Sequence, residues 1–176
     1  MSGGGDLPGA VVIRPARLDE LDALVDLLAA VASEGRWIAT ELPFDRAERR
    51  ERYRATLEDP AAALLVAVAG QDQDDAAEIV GDLGVHLATY GVAELGMAVV
   101  PGWRGRGVGS ALLSAAVDWA REAGAHKLAL QVWPHNRAAL ALYEKFGFER
   151  EGYLRGHYRR RSGELWDAIV MGKRLA

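Results

Sequence analysis

A glycine-rich segment in the second half of the chain, Arg104-Gly105-Arg106-Gly107-Val108-Gly109, limits most strongly what this sequence can fold into. It follows an apolar strand pattern at residues 92–100 and opens a helical pattern at residues 107–123. A strand, a glycine turn and a helix in this order bring unpaired backbone N–H groups and a helix N-terminus to one point. Glycine lets the backbone approach an anion closely, and the two arginines add positive charge. The segment therefore predicts a phosphate-binding turn, with a tight turn carrying solvated arginines as the alternative.

Two other phosphate-binding motifs fit this segment less well. A P-loop needs lysine and then serine or threonine after its last glycine, whereas Gly109 is followed by Ser110 and Ala111. A dinucleotide fingerprint needs a third glycine three residues after its second, and counting from Gly105 and Gly107 that position is Ser110. A protein that binds ATP or NAD is therefore a less favoured alternative.

The order of apolar patterns along the chain predicts a single domain. A chain of 176 residues suits one core, since single domains commonly have about 100–200 residues. Residues 1–10 are rich in glycine and predict a disordered leader, so residues 11–176 form the expected domain. Strands are predicted at 11–14, 63–69, 78–89, 92–100, 127–133, 148–154 and 164–173, helices at 19–32, 45–58, 107–123 and 137–146, and a polar loop at 71–75.

Composition excludes several kinds of chemistry. The chain has no cysteine, which removes disulfides, thiolate metal sites and a cysteine nucleophile, and its four histidines are too scattered for a zinc motif. No run of about 18 apolar residues could span a membrane, and a signal peptide is not evident, so a cytoplasmic protein is expected. The net charge of −4 combines −10 over residues 1–100 with +6 over residues 101–176. The acidic total disfavours nucleic-acid binding, whereas the basic second half could attract a polyanion or merely form solvated faces.

The spacing Arg/Gln-x-x-Gly-x-Gly/Ala, matched by Arg104, Gly107 and Gly109, resembles the GNAT superfamily of acyl-CoA-dependent N-acetyltransferases. The resemblance extends to residues 13–16, 94–113, 136–139 and 142–148. It implies an α/β (α+β) fold with a mixed, mainly antiparallel central sheet of about seven strands and helices on both faces. It also implies acetyl-CoA as cosubstrate, without a metal. The cofactor-binding residues that it implies are Met97, Ala98 and Val99 along pantetheine, Arg104, Gly105, Arg106, Gly107, Val108, Gly109 and Ser110 around the pyrophosphate, and Asn136 and Tyr143 on the next helix.

Acetyl transfer from a thioester to an amine needs an acid for the departing thiolate. That thiolate has a pKa of roughly 8.5, judged from cysteine, and a tyrosine of pKa about 10 can protonate it. The resemblance makes Tyr143 this acid, and Asn136 lies seven residues earlier, on nearly the same helical face. The alternatives are that Asn136 is only a helix cap and Tyr143 only a packed aromatic residue.

The base that accepts the amine proton is less clear from the sequence. Some relatives have glutamate on the strand before the second family helix, five residues ahead of the asparagine, but Gln131 stands there and cannot usefully accept a proton. Others have glutamate on the strand that enters the glycine turn, where Glu94 is found. Burial among apolar neighbours would raise the pKa of Glu94, which makes it the leading candidate. The alternatives are an exposed or arginine-paired carboxylate, with water carrying the proton away.

The acceptor is expected to be a primary amine, from an amino acid or another small molecule. The segment 33–38 between the first two helices is the expected substrate wall, because loops on a rigid scaffold often select ligands. The candidate substrate residues are Glu34, Arg36, Trp37, His86 and Gln131, with His135, His157 and Tyr158 as further candidates. The basic hairpin at 155–161 predicts solvated surface. Acetylation of a protein N-terminus and a non-catalytic acyl-CoA-binding sensor stay open as alternatives, and exposed strands near the C-terminus suggest a homodimer.

Overall fold

The computed structural model describes residues 11–70 and 77–175, so the expected leader at 1–10 and the loop at 71–75 lie outside the described residues. Every predicted helix and strand within the described residues is present, with ends that differ by a few residues. The strands are β1 Val11–Pro15, β2 Ala62–Ala69, β3 Glu78–Leu87, β4 Val92–Val99, β5 Lys127–Val132, β6 Glu149–Arg159 and β7 Leu165–Arg174. The helices are α1 Leu21–Ala32, α2 Arg46–Glu58, α3 Val108–Glu122 and α4 Arg137–Lys145.

The seven strands form one sheet in the order β1-β2-β3-β4-β5-β7-β6. All neighbouring strands pair antiparallel except β4 and β5, which pair in parallel. The prediction of a mixed, mainly antiparallel sheet of about seven strands is therefore confirmed. The strand β6 is longer than predicted, because the basic residues of its second half were interpreted as solvated surface although they belong to the strand.

Helices cover both faces of the sheet, as predicted. Apolar residues of α3 and α4, among them Leu112 and Leu140, pack in one core with inward residues of β4 such as Leu95. On the other face, α1 contributes Leu27 and Val31 to a smaller core that includes Ala98 of β4. Alternate residues of β4 thus face different helices, which is the period-two pattern of a strand covered on both sides.

Local capping fixes where the helices begin and end. The side chain of Asp45 accepts a hydrogen bond from the Glu48 N–H at the start of α2, and a glycine with positive φ, Gly124, follows α3. Among the described helices, none has the length and apolar character needed to cross a membrane.

The pairing of β4 with β5 is short and leaves a gap in the sheet. Their register joins only three residue pairs, the last of which is Glu94 with Ala129. Beyond that pair β4 continues to Val99 along β3, whereas β5 stays paired with β7 up to Val132. The two strands therefore diverge, and the gap between them connects the two faces of the sheet.

Candidate active site

A cleft of about 510 Å³ occupies the gap between β4 and β5. Its volume lies within the range of about 300–1,000 Å³ that is usual for small-molecule sites. The cleft runs from the glycine turn and α4 on one face of the sheet to the loop after α1 on the other. Of the predicted site residues, those that line it are Trp37, Met97, Ala98, Val99, Arg104, Gly105, Gly107, Gly109, Ser110, Gln131, Asn136, Tyr143 and Tyr158.

The glycine turn presents free backbone donors to the cleft. Gly105 and Gly107 have φ of 71° and 84°, a left-handed conformation that glycine adopts without strain. Gly107 is the N-cap of α3 and caps it with no side chain, and the first hydrogen bond of the helix runs from the Ala111 N–H to the Gly107 carbonyl. The N–H groups of residues 108–110 therefore have no partner within the helix, which is the arrangement that binds phosphate at a helix N-terminus.

The backbone of Met97 faces the same cleft. The Val100 N–H donates to the carbonyl of Val80 on β3. The backbone N–H and carbonyl groups of successive residues in a strand point alternately to the neighbouring strand on one side and on the other. Met97, three residues before Val100, therefore directs its N–H and carbonyl toward β5, beyond the last residue pair that joins the two strands. These groups are available to the amides of an extended ligand such as pantetheine.

The guanidinium of Arg104 is held by the protein itself. Its Nη1 and Nη2 donate to the two carboxylate oxygens of Glu34 at 2.8 and 2.6 Å, and its Nε donates to the Val99 carbonyl at 2.8 Å. The hydrogen bond from Arg104 lowers the pKa of Glu34, which also accepts from Trp37 Nε1 at 2.8 Å. The expectation that the Arg104 charge faces the phosphates is therefore revised. This charge is neutralised by Glu34, and the pair ties the loop after α1 to the glycine turn.

Two of the predicted cofactor residues lie outside the cleft lining. Val108 is buried in the core under α3, as its apolar side chain requires. Arg106 is exposed, and its guanidinium carbon lies 5.2 Å from the centroid of the Trp103 ring. It has no carboxylate partner among the residues that the structure describes, so its charge remains available near the turn.

The helix α4 presents Asn136 and Tyr143 to the cleft. The Asn136 side chain accepts a hydrogen bond from the Ala139 N–H, so it caps the helix as well as lining the cleft. Tyr143 is only 6% exposed, and burial raises its pKa to about 12. No buried side-chain nitrogen or oxygen in the described residues lacks a hydrogen-bond partner, and none of the observed bonds involves the Tyr143 hydroxyl. That hydroxyl is therefore accessible from the cleft.

Glu94 lies on the face of the sheet opposite to Tyr143. Its side chain is 59% exposed, and its Oε2 lies 3.9 Å from Nε2 of His86, its partner in the register of β3 and β4. Glu94 is therefore not buried among apolar neighbours, contrary to the expectation from the sequence. Neither residue lines the cleft, but the next residue on the same face of β4 is Gly96, which does.

Aromatic side chains enclose the end of the cleft beyond Gly96. Trp37, Trp133 and Tyr158 line it together with Gln131, and the Tyr158 hydroxyl donates to Gln131 Oε1 at 2.8 Å. Trp133 packs edge-on against Tyr158, with ring centroids 4.8 Å apart. Among the described residues, no charged side chain lines this end of the cleft. Arg36 points its guanidinium at the Trp37 ring, 4.3 Å from the centroid, and does not line the cleft.

Arg160 was not among the predicted site residues, and its burial corrects the prediction that the basic hairpin at 155–161 is solvated surface. Arg160 is only 5% exposed and lies behind the aromatic end of the cleft, with its guanidinium carbon 4.3 Å from the centroid of Trp166. Alternate residues of β6 from Leu154 to Tyr158 are partly buried, and Arg160 continues that series. Because side chains alternate between the two faces of a strand, this pattern could have predicted that Arg160 lies on the inner side.

A second buried charged residue, Asp82, lies on β3 near the cleft strand. It is 7% exposed, and burial raises the pKa of its carboxyl group to about 7. The Tyr53 hydroxyl of α2 donates to it at 3.3 Å, and Ala98, opposite on β4, lines the cleft. A lone aspartate in an apolar strand carries no clear signal in one sequence, and its tyrosine partner is 29 residues away.

No metal centre is evident in residues 11–70 and 77–175, where no three histidine, aspartate or glutamate side chains are grouped to hold an ion. Two carboxylates near the cleft, Glu34 and Glu41, pair with arginines that lie beside it.

Comparison with known proteins gives one family. A sequence profile described as the acetyltransferase (GNAT) family matches residues 28–148. A candidate ribosomal protein bS18 alanine N-acetyltransferase from Bacillus subtilis is 32% identical over 119 residues, which are 68% of this chain and 73% of that protein. A phosphinothricin N-acetyltransferase from Streptomyces coelicolor is 28% identical over 92% of this chain and 95% of its own length. Other curated relatives align over 27% to 51% of their length, so the chain spans about half or less of those proteins.

Solved structures share the fold. A ribosomal-protein-alanine N-acetyltransferase from Brucella melitensis is 26% identical and superposes with a TM-score of 0.80, over 93% of this chain and 99% of that one. A GNAT superfamily phosphinothricin acetyltransferase from Sinorhizobium meliloti, solved with acetyl-CoA, is 21% identical with a TM-score of 0.79, over 94% and 89% of the two chains. The chain therefore belongs to the GNAT family of acetyl-CoA-dependent N-acetyltransferases.

Proposed function

We propose that this protein acetylates the primary amine of an amino acid or another small amine, by direct attack of the amine on the thioester of acetyl-CoA. The observation that carries the proposal is the continuous cleft through the sheet. One end of this cleft is formed by the glycine turn and by backbone groups of β4 that do not pair with β5. The other end is lined by uncharged aromatic side chains. A donor and an acceptor can therefore enter from opposite faces and meet between β4 and β5.

On the donor side, the residues present fit coenzyme A. The unpaired N–H groups of residues 108–110 suit the pyrophosphate, and Arg106 supplies an available charge nearby. The free backbone of Met97 suits the amides of pantetheine. Bound there, acetyl-CoA would supply the activated acetyl group, and the Met97 N–H would be a candidate donor to the oxygen that gains charge during transfer.

We propose Tyr143 as the general acid. Its hydroxyl opens to the cleft, and its raised pKa means that it carries its proton at neutral pH. A protonated phenol beside the departing sulfur can transfer that proton as the thiolate forms. Burial of the rest of the side chain fixes the position of the hydroxyl.

We propose Glu94 as the base, acting through water. An alkyl amine has a pKa of about 10, so it must lose a proton before it attacks. Glu94 is a carboxylate on the acceptor face of β4, two residues before the cleft residue Gly96 and on the same face of the strand. Its exposure favours proton transfer along ordered water over direct contact with the amine. Gln131 cannot take this role, and its amide is already bonded to Tyr158.

The comparisons support two classes of acceptor. One curated relative is an L-amino acid N-acetyltransferase from Escherichia coli, 36% identical over 86 residues, and another is the phosphinothricin enzyme. The Bacillus and Brucella relatives instead bear names for acetylation of a ribosomal-protein alanine. A protein N-terminus is therefore the second candidate. A cytoplasmic location, a single domain over residues 11–176 and a homodimer stay predictions from the sequence.

A panel of amines tests the function. Release of free thiol from acetyl-CoA should be stimulated by at least one of the twenty amino acids, phosphinothricin, spermidine or a peptide that begins with alanine. Isothermal titration with acetyl-CoA alone gives the donor affinity. Stimulation by the peptide alone would favour the N-terminal acetyltransferase. Tight acetyl-CoA binding without thiol release in the presence of any amine would contradict the proposed acetyltransferase activity. It would favour a non-catalytic acyl-CoA-binding sensor.

A further inference from the structure

Arg160 connects two walls of the acceptor end of the cleft without lining it. From the start of the hairpin after β6, its Nη1 donates to the carbonyls of Ala39 at 3.1 Å and Ile38 at 3.5 Å. Its Nε lies 3.5 Å from Oε1 of Glu41, and that carboxylate also accepts from the Arg161 N–H. The loop after α1 is thus bound to the hairpin through two of its backbone carbonyls and through the carboxylate of Glu41.

The same guanidinium packs against two tryptophans. Its central carbon lies 4.3 Å from the Trp166 ring centroid and 5.9 Å from that of Trp133. A buried guanidinium loses its hydration, and this loss is tolerated only where hydrogen bonds and aromatic faces replace water. Arg160 has both kinds of partner, so its position is set from the loop side and from the sheet side together.

These partners form the two walls of the acceptor compartment. Residues 37–39 line one side of the cleft, and Trp133 and Tyr158 line the other. We propose that Arg160 is a positioning residue that holds these walls at the spacing the acceptor requires. This inference rests on the proposed function. The donor end has a separate clamp, Arg104 with Glu34, so loss of Arg160 should affect the acceptor far more than acetyl-CoA.

Replacement of Arg160 by methionine tests the proposal, because methionine keeps much of the length but neither the charge nor the donors. The matched control is Arg161→Met, since Arg161 is exposed and its observed contact with Glu41 uses only its backbone N–H. With the best amine of the panel, Arg160→Met should raise the acceptor KM about 10-fold to 100-fold, the scale of a small misplacement in a site. Acetyl-CoA affinity should change less than about twofold by the same reasoning, and Arg161→Met should leave both unchanged.

Hydrogen exchange measured by mass spectrometry on the full chain supplies a readout that needs no acceptor. Arg160→Met should speed exchange at residues 37–42 and leave residues 104–110 unchanged. Unchanged exchange in the loop would overturn the proposal, as would a faster loop with an unaltered acceptor KM or an equal loss of acceptor and acetyl-CoA binding.

Two further outcomes are decisive. If Arg160→Met does not fold, Arg160→Lys is the second variant, because it keeps the charge but not the planar pair of donors. It should also raise the acceptor KM more than it weakens acetyl-CoA binding, but by a smaller factor. If no amine is acetylated, the proposed function and the acceptor role of Arg160 fail together. Faster hydrogen exchange at residues 37–42 in Arg160→Met would then still show that Arg160 holds the loop after α1 against the hairpin.

Discussion

The buried carboxyl group of Asp82 predicts a stability that falls as pH rises. Asp82 is 7% exposed, and burial raises its pKa from 3.8 to about 7, although hydrogen bonds from the Tyr53 hydroxyl and the Ala98 N–H act in the opposite direction. Between these two pH values the folded chain keeps the proton that the unfolded chain releases. The contribution of Asp82 is therefore fully present below pH 3.8 and is lost as pH rises through 7.

The magnitude follows from the size of the shift. Each unit of pKa difference changes the free energy of unfolding by about 1.4 kcal/mol, so a shift of about three units corresponds to roughly 4 kcal/mol. Small domains have a free energy of unfolding of about 5–15 kcal/mol, so this contribution is large enough to measure.

The substitution Asp82→Asn isolates the effect. Asparagine keeps the shape and can accept from the Tyr53 hydroxyl, but it cannot ionise. Its unpaired amide group adds a constant cost at every pH, so the informative quantity is the difference in unfolding free energy between wild type and variant as pH changes. We expect this difference, measured by urea denaturation at pH 4, 5.5, 7 and 8, to shift in favour of the variant by about 4 kcal/mol between the lowest and the highest pH.

A control variant separates burial from charge in general. Asp118→Asn alters an exposed carboxylate paired with Arg121 across 3.5 Å, and exposed pairs contribute about 0–1 kcal/mol. Its difference from wild type should vary little over the same pH range. A difference for Asp82→Asn that is the same at pH 4 and pH 8 would show that the group titrates normally, and the argument from burial would be wrong.

Three further predictions concern the active site. Tyr143→Phe should lower kcat about 100-fold or more, the usual share of a general acid, with acetyl-CoA affinity retained in a binding titration; unchanged kcat would remove the role. Glu94→Gln should lower kcat/KM at neutral pH and move its fall toward higher pH, because the amine must then lose its proton without help from the enzyme; an unaltered pH–rate profile would argue against a base at this position. Gly105→Ala should weaken acetyl-CoA binding by up to about tenfold: alanine at φ 71° costs about 1–2 kcal/mol although its Cβ would meet nothing, so the free turn of the variant relaxes away from this φ and binding has to restore it. Gly102→Ala, equally open but without positive φ, is the control and should bind normally.

The sequence predicts the fold and the donor end of the cleft for the same physical reason. Both depend on signals between residues that are close in the chain. Apolar periodicity marks each strand and helix, and the glycine turn is six consecutive residues. The cap at Asn136 and the stop at Gly124 are equally local, and both are found where the sequence indicates them.

At the acceptor end, Trp37, Gln131 and Tyr158 were expected, but the contacts between these and other residues could not be predicted in this way, because they join distant segments. Arg160 binds carbonyls more than 120 residues earlier, and Tyr158 donates to a glutamine 27 residues away. The exposure of Glu94 was also out of reach, since one sequence does not show which face of a strand is covered at a given residue. Only the pairing of the strands and the path of the loop after α1 decide these points.

The charge asymmetry of the sequence has a different meaning once the fold is known. The basic second half suggested an electric field that attracts a polyanion. In the structure, however, two of its arginines near the cleft form ion pairs with glutamates of the acidic first half: Arg104 pairs with Glu34, and Arg160 pairs with Glu41. Ion pairs between the two halves thus hold the loop after α1 against the sheet. Attraction of phosphates is then expected to depend on the backbone N–H groups of the turn and on Arg106. Binding of acetyl-CoA should accordingly be less sensitive to salt than a site with several exposed arginines would be.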